Sequence, residues 1–156
     1  MQIRLIVVGT KQQQWVKKAF QDYAKRLPQH WNFSLHEIPT LKRNKNESIV
    51  SLIKKEGEKI LSEVRDNEQL IILDEHGIDF TTQALSDKLG NLSVINNRFC
   101  FVIGGPDGLS DQCKKRADMC WSLTKLTLPH GLVRIIFIEQ IYRVWTLMSQ
   151  HPYHRI

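Results

Sequence analysis

Cysteine is scarce and unpaired in this chain of 156 residues: Cys100, Cys113 and Cys120 are an odd number, and no two form Cys-x-x-Cys. That excludes a disulfide framework and a thiolate zinc site as organising elements. Cys100, inside an apolar run, reads as a small core residue. Long apolar runs are missing too. The N-terminal stretch Ile3 to Val8 is too short for a signal peptide or a membrane span, so a cytoplasmic protein with no membrane partner is expected. Nucleotide fingerprints are absent, with neither Gly-Lys-Ser/Thr nor Gly-x-Gly-x-x-Gly present. No linker, repeat or low-complexity stretch interrupts the chain, which leads to one domain over 1–156, long enough to bury a core. Acid is the last shortage. Beyond Asp118 only Glu139 stands against Lys125, Arg134, Arg143 and Arg155, in a chain with 22 Lys and Arg, 16 Asp and Glu and a net charge of +6. Such an excess favours a polyanionic partner, RNA or DNA.

What is present is an alternation of strand and helix signals. Ile3 to Val8 reads as a buried strand stopped by Gly9. Val16, Ala19, Phe20, Tyr23 and Leu27 then recur at helical steps, and Pro28 ends the helix. Phe33 and Leu35 alternate toward Pro39 as a second strand. The basic connection Leu41 to Asn46 fits either a solvated loop or an arm that touches phosphates. Ile49, Leu52, Ile53, Ile60, Leu61 and Val64 mark a second helix, with Gly57 on the same face to admit a close neighbour. Leu70 to Asp74 reads as a central strand covered on both faces, and Gly77 as the turn after it. Thr81 or Thr82 caps a helix burying Ala84, Leu85 and Leu89. A further strand, Phe99 to Ile103, runs into Gly104-Gly105-Pro106-Asp107-Gly108, and Ser110 caps the next helix. The expected fold is α/β, with a mostly parallel sheet flanked by helices.

The last helix, from Leu132 to about Ser149, is apolar nearly all round. A chain this small covers such a helix poorly by itself, so a homodimer interface is expected there. Glu139 and Arg143 stand one turn apart in the order that favours an ion pair.

Two stretches point to a ligand. The glycine loop 104–108 lies beyond the carboxyl end of a strand, where parallel sheets bind small molecules and where glycines let a ligand approach the backbone; taken alone, it fits an ordinary turn equally well. Leu123-Thr124-Lys125-Leu126-Thr127-Leu128-Pro129 fits an edge strand, or equally an irregular loop whose backbone reads an adenine edge while its leucines pack the ring. The tail, His151-Pro152-Tyr153-His154-Arg155-Ile156, offers Tyr153 to stack on a base and Arg155 to hold a phosphate. His151 and His154 do not make a metal site, because Pro152 breaks any helix between them and no carboxylate or cysteine is near; no metal is expected.

These same residues carry a resemblance. Val7-Val8-Gly9-Thr10-Lys11, Lys55-Glu56-Gly57-Glu58, Ile103-Gly104-Gly105-Pro106, Leu126-Thr127-Leu128-Pro129-His130, Tyr142-Arg143 and the tail resemble the small SPOUT-class methyltransferases that modify a pseudouridine of bacterial 23S rRNA at N3. The resemblance covers nearly the whole chain, and its departures, such as Gly131, touch no named role. It implies a deep C-terminal trefoil knot, a rare exception to unthreaded folds. It implies S-adenosyl-L-methionine as cofactor, held by Leu73, Gly104, Gly105, Leu123, Thr124, Lys125, Leu126, Thr127 and Leu128. It further implies a homodimer in which one subunit's tail lies near the other's cofactor, making Arg143, Tyr153, His154 and Arg155 the catalytic set. Either His154 takes the N3 proton, or Arg143 and Arg155 stabilise an anionic uracil. With no separate RNA-binding domain, the expected substrate is 23S rRNA in the assembled ribosome. A non-catalytic RNA-binding assembly factor explains the basic balance but not two backbone-rich loops. A nucleotide-dependent oxidoreductase is opposed by the missing dinucleotide fingerprint.

Overall fold

The computed structural model describes residues 1–43 and 47–154, the last of them through its backbone. Five strands alternate with five helices: β1 (Gln2–Val8), α1 (Gln14–Ala24), β2 (Ser34–Ile38), α2 (Ile49–Glu63), β3 (Gln69–Asp79), α3 (Thr82–Ile95), β4 (Arg98–Ile103), α4 (Asp111–Arg116), β5 (Met119–Ser122) and α5 (His130–Met148). The strands form one sheet in the order β2-β1-β4-β3-β5, and every pairing is parallel.

The two-residue period of the strands divides the core between the faces of the sheet. Ile3, Leu5, Val7, Phe99, Phe101 and Ile103 meet Phe20 of α1, Leu85 and Leu89 of α3, and Phe137, Ile138 and Ile141 of α5. Ile6, Val8, Leu70, Ile72, Cys100 and Val102 meet Ile60 of α2 and Leu109 and Cys113 around α4. Cys100 is the small core residue expected; burial pushes its thiol up to about 12. The expected caps are in place. Thr81 Oγ accepts from the Ala84 N–H at 3.1 Å, and Ser110 Oγ accepts from the Cys113 N–H at 3.2 Å. Gly57 does admit a close neighbour, since a Cβ there would lie 2.1 Å from Ser110 Oγ.

Gly77 is not a turn. β3 continues through it to Asp79, and both Leu73 and Ile78 pair with Trp121, so residues between them form an irregularity in the ladder. The glycine serves a close approach: a Cβ on Gly77 would lie 2.7 Å from the Trp121 carbonyl carbon. β5 was not legible in the sequence, being only Met119–Ser122. Beyond it, residues 123–129 form an irregular loop rather than an edge strand.

α1 and α5 run side by side in the same direction. A Cβ on Gly131, at the start of α5, would lie 3.0 Å from Val16 Cγ2, while near their far ends the rings of Tyr23 and Tyr142 are 6.2 Å apart. α1 and α3 bury Phe137, Ile138, Ile141 and Val144 of α5, but Leu132, Ile135, Ile136, Trp145 and Leu147 stay half-buried. Among the described residues no helix is long and apolar enough to cross a membrane.

Candidate active site

The carboxyl ends of β3, β4 and β5 and the first turn of α5 enclose a cleft of about 670 Å³. Of the nine positions expected to hold a cofactor, Leu73, Gly104, Gly105, Leu123, Thr124, Leu126, Thr127 and Leu128 line it. Lys125 does not. Its side chain is 85% exposed, with Nζ 3.5 Å from Asp79.

The glycine loop forms one wall. It closes on itself through the Gly108 N–H, which donates to the Gly105 carbonyl at 3.0 Å, and a Cβ on Gly104 would lie 2.9 Å from the Gly108 carbonyl oxygen. Beneath it sits the buried carboxylate of Glu56, whose Oε2 is 2.7 Å from where a Gly105 Cβ would be. Glu56 Oε1 accepts from the Leu41 N–H at 3.1 Å and faces Arg43 at 3.5 Å. Arg43 in turn donates from Nε to Asp107 Oδ2 of the glycine loop at 3.1 Å. The basic connection after β2 is therefore tied down at Arg43, neither freely solvated nor a free arm there; Asn44, Lys45 and Asn46 lie outside the described residues.

The opposite wall is the 123–128 loop, shaped by its own side chains. Ser122 Oγ donates to the Thr124 carbonyl at 3.0 Å, and Thr124 Oγ1 accepts from the Leu126 N–H at 3.1 Å. Leu126 is left 71% exposed on the cleft. Asp74 stands at the rim. Burial works against its charge, yet Lys114 Nζ at 2.8 Å and the His76 N–H at 3.0 Å outweigh it and hold the carboxyl below the usual range.

His130 closes the cleft at the head of α5. Burial first, and then the charge of Arg134, lower its pKa from the usual histidine range, which favours the neutral ring. One turn on, the buried Arg134 donates to Glu37 Oε1 at 2.5 Å and to the Gly9 carbonyl, where φ is +116°. Those two bonds fasten α5 to the ends of β1 and β2.

The tail folds back on α5. Gln150 adopts a φ of 55°, the His151 N–H donates to the Thr146 carbonyl at 2.8 Å, and Pro152–His154 make a single 3-10 turn. The Tyr153 ring meets Tyr142 edge-on at 4.7 Å, with its hydroxyl 3.3 Å from Glu139 Oε1 and 3.5 Å from the Tyr23 hydroxyl. Burial, then those two neighbours, raise its pKa. Glu139 also accepts from Arg143 Nε at 3.0 Å, the ion pair expected from the spacing, and sets the guanidinium 5.1 Å over the Tyr153 ring. The structure thus brings Arg143 and Tyr153 together. The His154 side chain and Arg155 lie outside the described residues. Neither Arg143 nor Tyr153 lines the cleft, and the helical rise from His130 to Arg143 is about 20 Å.

The sequence alone assigns no separate role to Asp74, Glu56, Arg43, His130 or Arg134, although Glu56 and His130 fall within the motifs that carry the resemblance. The available signal was positional: Asp74 is the first polar residue after the buried run Leu70–Leu73 of β3, on the side of the sheet where ligands bind. Among the described residues no group of three or more His, Cys, Asp or Glu is placed to hold a metal ion.

A ligand cleft at the carboxyl edge of a parallel sheet, built from a glycine loop and an irregular leucine loop, agrees with the comparisons. The model of a family described as predicted SPOUT methyltransferase matches residues 1–154. The chain belongs to the SPOUT methyltransferase family, and membership implies the C-terminal trefoil knot. It is similar along its length to proteins named ribosomal RNA large subunit methyltransferase H. Those of Marinomonas sp. (strain MWYL1), Pseudomonas putida (strain W619) and Saccharophagus degradans are each 44% identical over 155 residues, covering 99% of this chain and 100% of the relative.

Proposed function

We propose that this chain, as one SPOUT domain over 1–156, methylates N3 of a pseudouridine in bacterial 23S rRNA, using S-adenosyl-L-methionine. The observation that carries the reading is the convergence of eight of the nine expected cofactor positions on one cleft. The residues present suit that cofactor. Its volume of about 670 Å³ falls in the usual range for small-molecule sites. Leu73, Ile103, Leu123, Leu126 and Leu128 offer apolar cover for a flat ring, while the 123–128 backbone offers polar groups to its edge. Glu75 supplies negative charge at the rim for a cationic ligand, while Asp74 and Asp107 are already paired with Lys114 and Arg43. When bound, the cofactor supplies an activated methyl on a sulfonium, and the chain's task is to align N3 with it and exclude water.

Arg143 and Tyr153 are the described members of the substrate-orienting set. Glu139 fixes the guanidinium where it can stabilise an anionic uracil, and His154 or Arg155 completes the handling of the N3 proton. The separation of that set from its own cleft supports a homodimer, in which each cleft is completed by the partner's tail. The half-buried apolar side of α5 provides the surface, and the neighbouring α1 leaves Trp15 53% exposed. The relatives' names give ribosomal RNA as the material they act on, and a substrate within the assembled ribosome, in the cytoplasm, suits the net charge of +6.

The test is transfer of labelled methyl from S-adenosyl-L-methionine to ribosomes from cells lacking this protein, with the nucleoside identified by mass spectrometry. The expected product is N3-methylpseudouridine in 23S rRNA. Cofactor binding without transfer to any ribosomal RNA overturns the proposed substrate.

A further inference from the structure

Between Lys11 and Arg26 five cations, Lys11, Lys17, Lys18, Lys25 and Arg26, stand against a single acid, Asp22. All five are exposed, and among the described residues none is paired with a carboxylate. Cations near the cleft and the core behave differently: Arg4, Arg43, Lys114 and Arg134 each have an acidic partner. The α1 charge is thus left to solvent, on a helix whose apolar residues Val16 and Phe20 are turned into the core.

Arg26 connects this charge to the tail. Its guanidinium lies 5.1 Å from the centre of the Tyr23 ring and 5.9 Å from that of Tyr142. Stacking holds a guanidinium by its face and leaves its N–H edge free for a phosphate. Tyr23 reaches the Tyr153 hydroxyl at 3.5 Å, and Tyr142 meets the Tyr153 ring at 4.7 Å. A continuous strip therefore runs from the lysines of α1, through Arg26 and three tyrosines, to Arg143.

Resting on the function proposed above, we propose that the outer face of α1, through Lys17, Lys18, Lys25 and Arg26, is where substrate RNA docks by its phosphates, placing the target nucleotide at the tail of the same subunit. Unpaired lysines suit that task because phosphate contacts fix register without reading sequence. A membrane surface fits less well, because Trp15 is the one large apolar side chain that α1 exposes beside its charges, too small an apolar face to seat the helix in lipid.

The experiment compares K17Q/K18Q/K25Q/R26Q with K54Q/K59Q/K88Q/R98Q, which removes as much charge from exposed positions on other elements. Unchanged melting and cofactor calorimetry verify that both variants fold. Ribosomes from cells lacking this protein are titrated across a range of salt, and methyl transfer is followed at varied ribosome concentration. The α1 variant is expected to bind at least about tenfold more weakly at low salt, with the slope of log K against log salt shallower by about 3. Its KM for ribosomes rises while the rate at saturation is held, and the control variant stays near wild type. Equal losses in both variants, an unchanged salt slope, or a loss confined to anionic lipid vesicles would each overturn the proposal. If the wild type methylates no ribosomal RNA yet the α1 variant alone loses ribosome binding, the docking surface stands and the proposed reaction falls. If methylation occurs and the α1 variant keeps its KM, the reverse holds.

Discussion

A Cβ on Gly57 would lie 2.1 Å from Ser110 Oγ and 2.7 Å from Ser110 Cβ, so the bare backbone of α2 packs directly on the Ser110 side chain that caps α4. Ser110 also starts α4 just beyond the glycine loop, by accepting from the Cys113 N–H at 3.2 Å. Gly57→Ala is expected to destabilise the fold by about 2 kcal/mol through overpacking. Adding Ser110→Gly removes the obstructing atoms, so the double variant should be more stable than the sum of the two single penalties predicts. Urea midpoints of the four proteins decide this, and strict additivity would refute the steric account.

Leu126 separates binding from folding. It is 71% exposed while lining the cleft, so truncating it removes little from the core. Leu126→Ala is expected to leave the melting temperature unchanged and to weaken S-adenosyl-L-methionine binding about tenfold, as expected for the apolar surface a bound ring would cover. Calorimetry on both proteins is the check. Equal affinities would place the ring elsewhere in the cleft.

Acid should loosen the molecule at the amino end of the sheet. The Glu68 carboxylate accepts from Arg4 at 2.9 and 2.7 Å and from the Arg65 N–H at 3.0 Å. Burial alone would raise its pKa, but those bonds prevail and hold it below the ordinary 4.5. A carboxylate depressed in the folded state contributes stability that is full above its unfolded value and is lost as pH falls through the folded one. Glu68→Gln should cost about 2 kcal/mol near neutrality. It should also flatten the fall in urea midpoint between about pH 5 and about pH 3. A wild-type profile as flat as the variant's would deny Glu68 this role.

Mixing experiments test the shared site. Leu126→Asp impairs the cleft and Arg143→Ala the tail, and each homodimer is expected to be nearly inactive. Subunits exchanged between them form mixed dimers holding one intact cleft opposite one intact tail. Random exchange should restore about a quarter of wild-type methyl transfer, since about half the dimers are mixed and each has one working site. No recovery after verified exchange would mean that cleft and tail act within one chain.

Much of the architecture was legible because it is local. The continuous apolar run of Phe99 to Ile103 encodes a strand covered on both faces, the helical period encodes the buried side of α2 at Leu52 and Ile60 although Ile49 is exposed, and Thr81 and Ser110 signal helix starts through their own hydroxyls. Gly77 was misread because glycine marks a turn and a close approach alike, and what approaches it is Trp121, distant in sequence. The leucine loop stayed ambiguous because its alternation and Pro129 pull in different directions. The ion pairs that frame the cleft have no local pattern at all: Arg43 and Asp107 are 64 residues apart, and Arg134 and Glu37 are 97 apart. Their pairing is a property of topology and emerges only once the strands are ordered.

The parallel ladder that joins Gln2 to Arg98 also bears on how the protein is made. β1 leaves the ribosome long before its partner β4 exists, and nonlocal parallel pairing folds slowly. The cleft waits longer still, because its walls include residues from Leu73 through Val133. A nascent chain stopped before α5 therefore has no finished place for the methyl donor. Maturation of the enzyme is a late, post-synthetic event, and interrupted translation should leave inert fragments rather than partial catalysts.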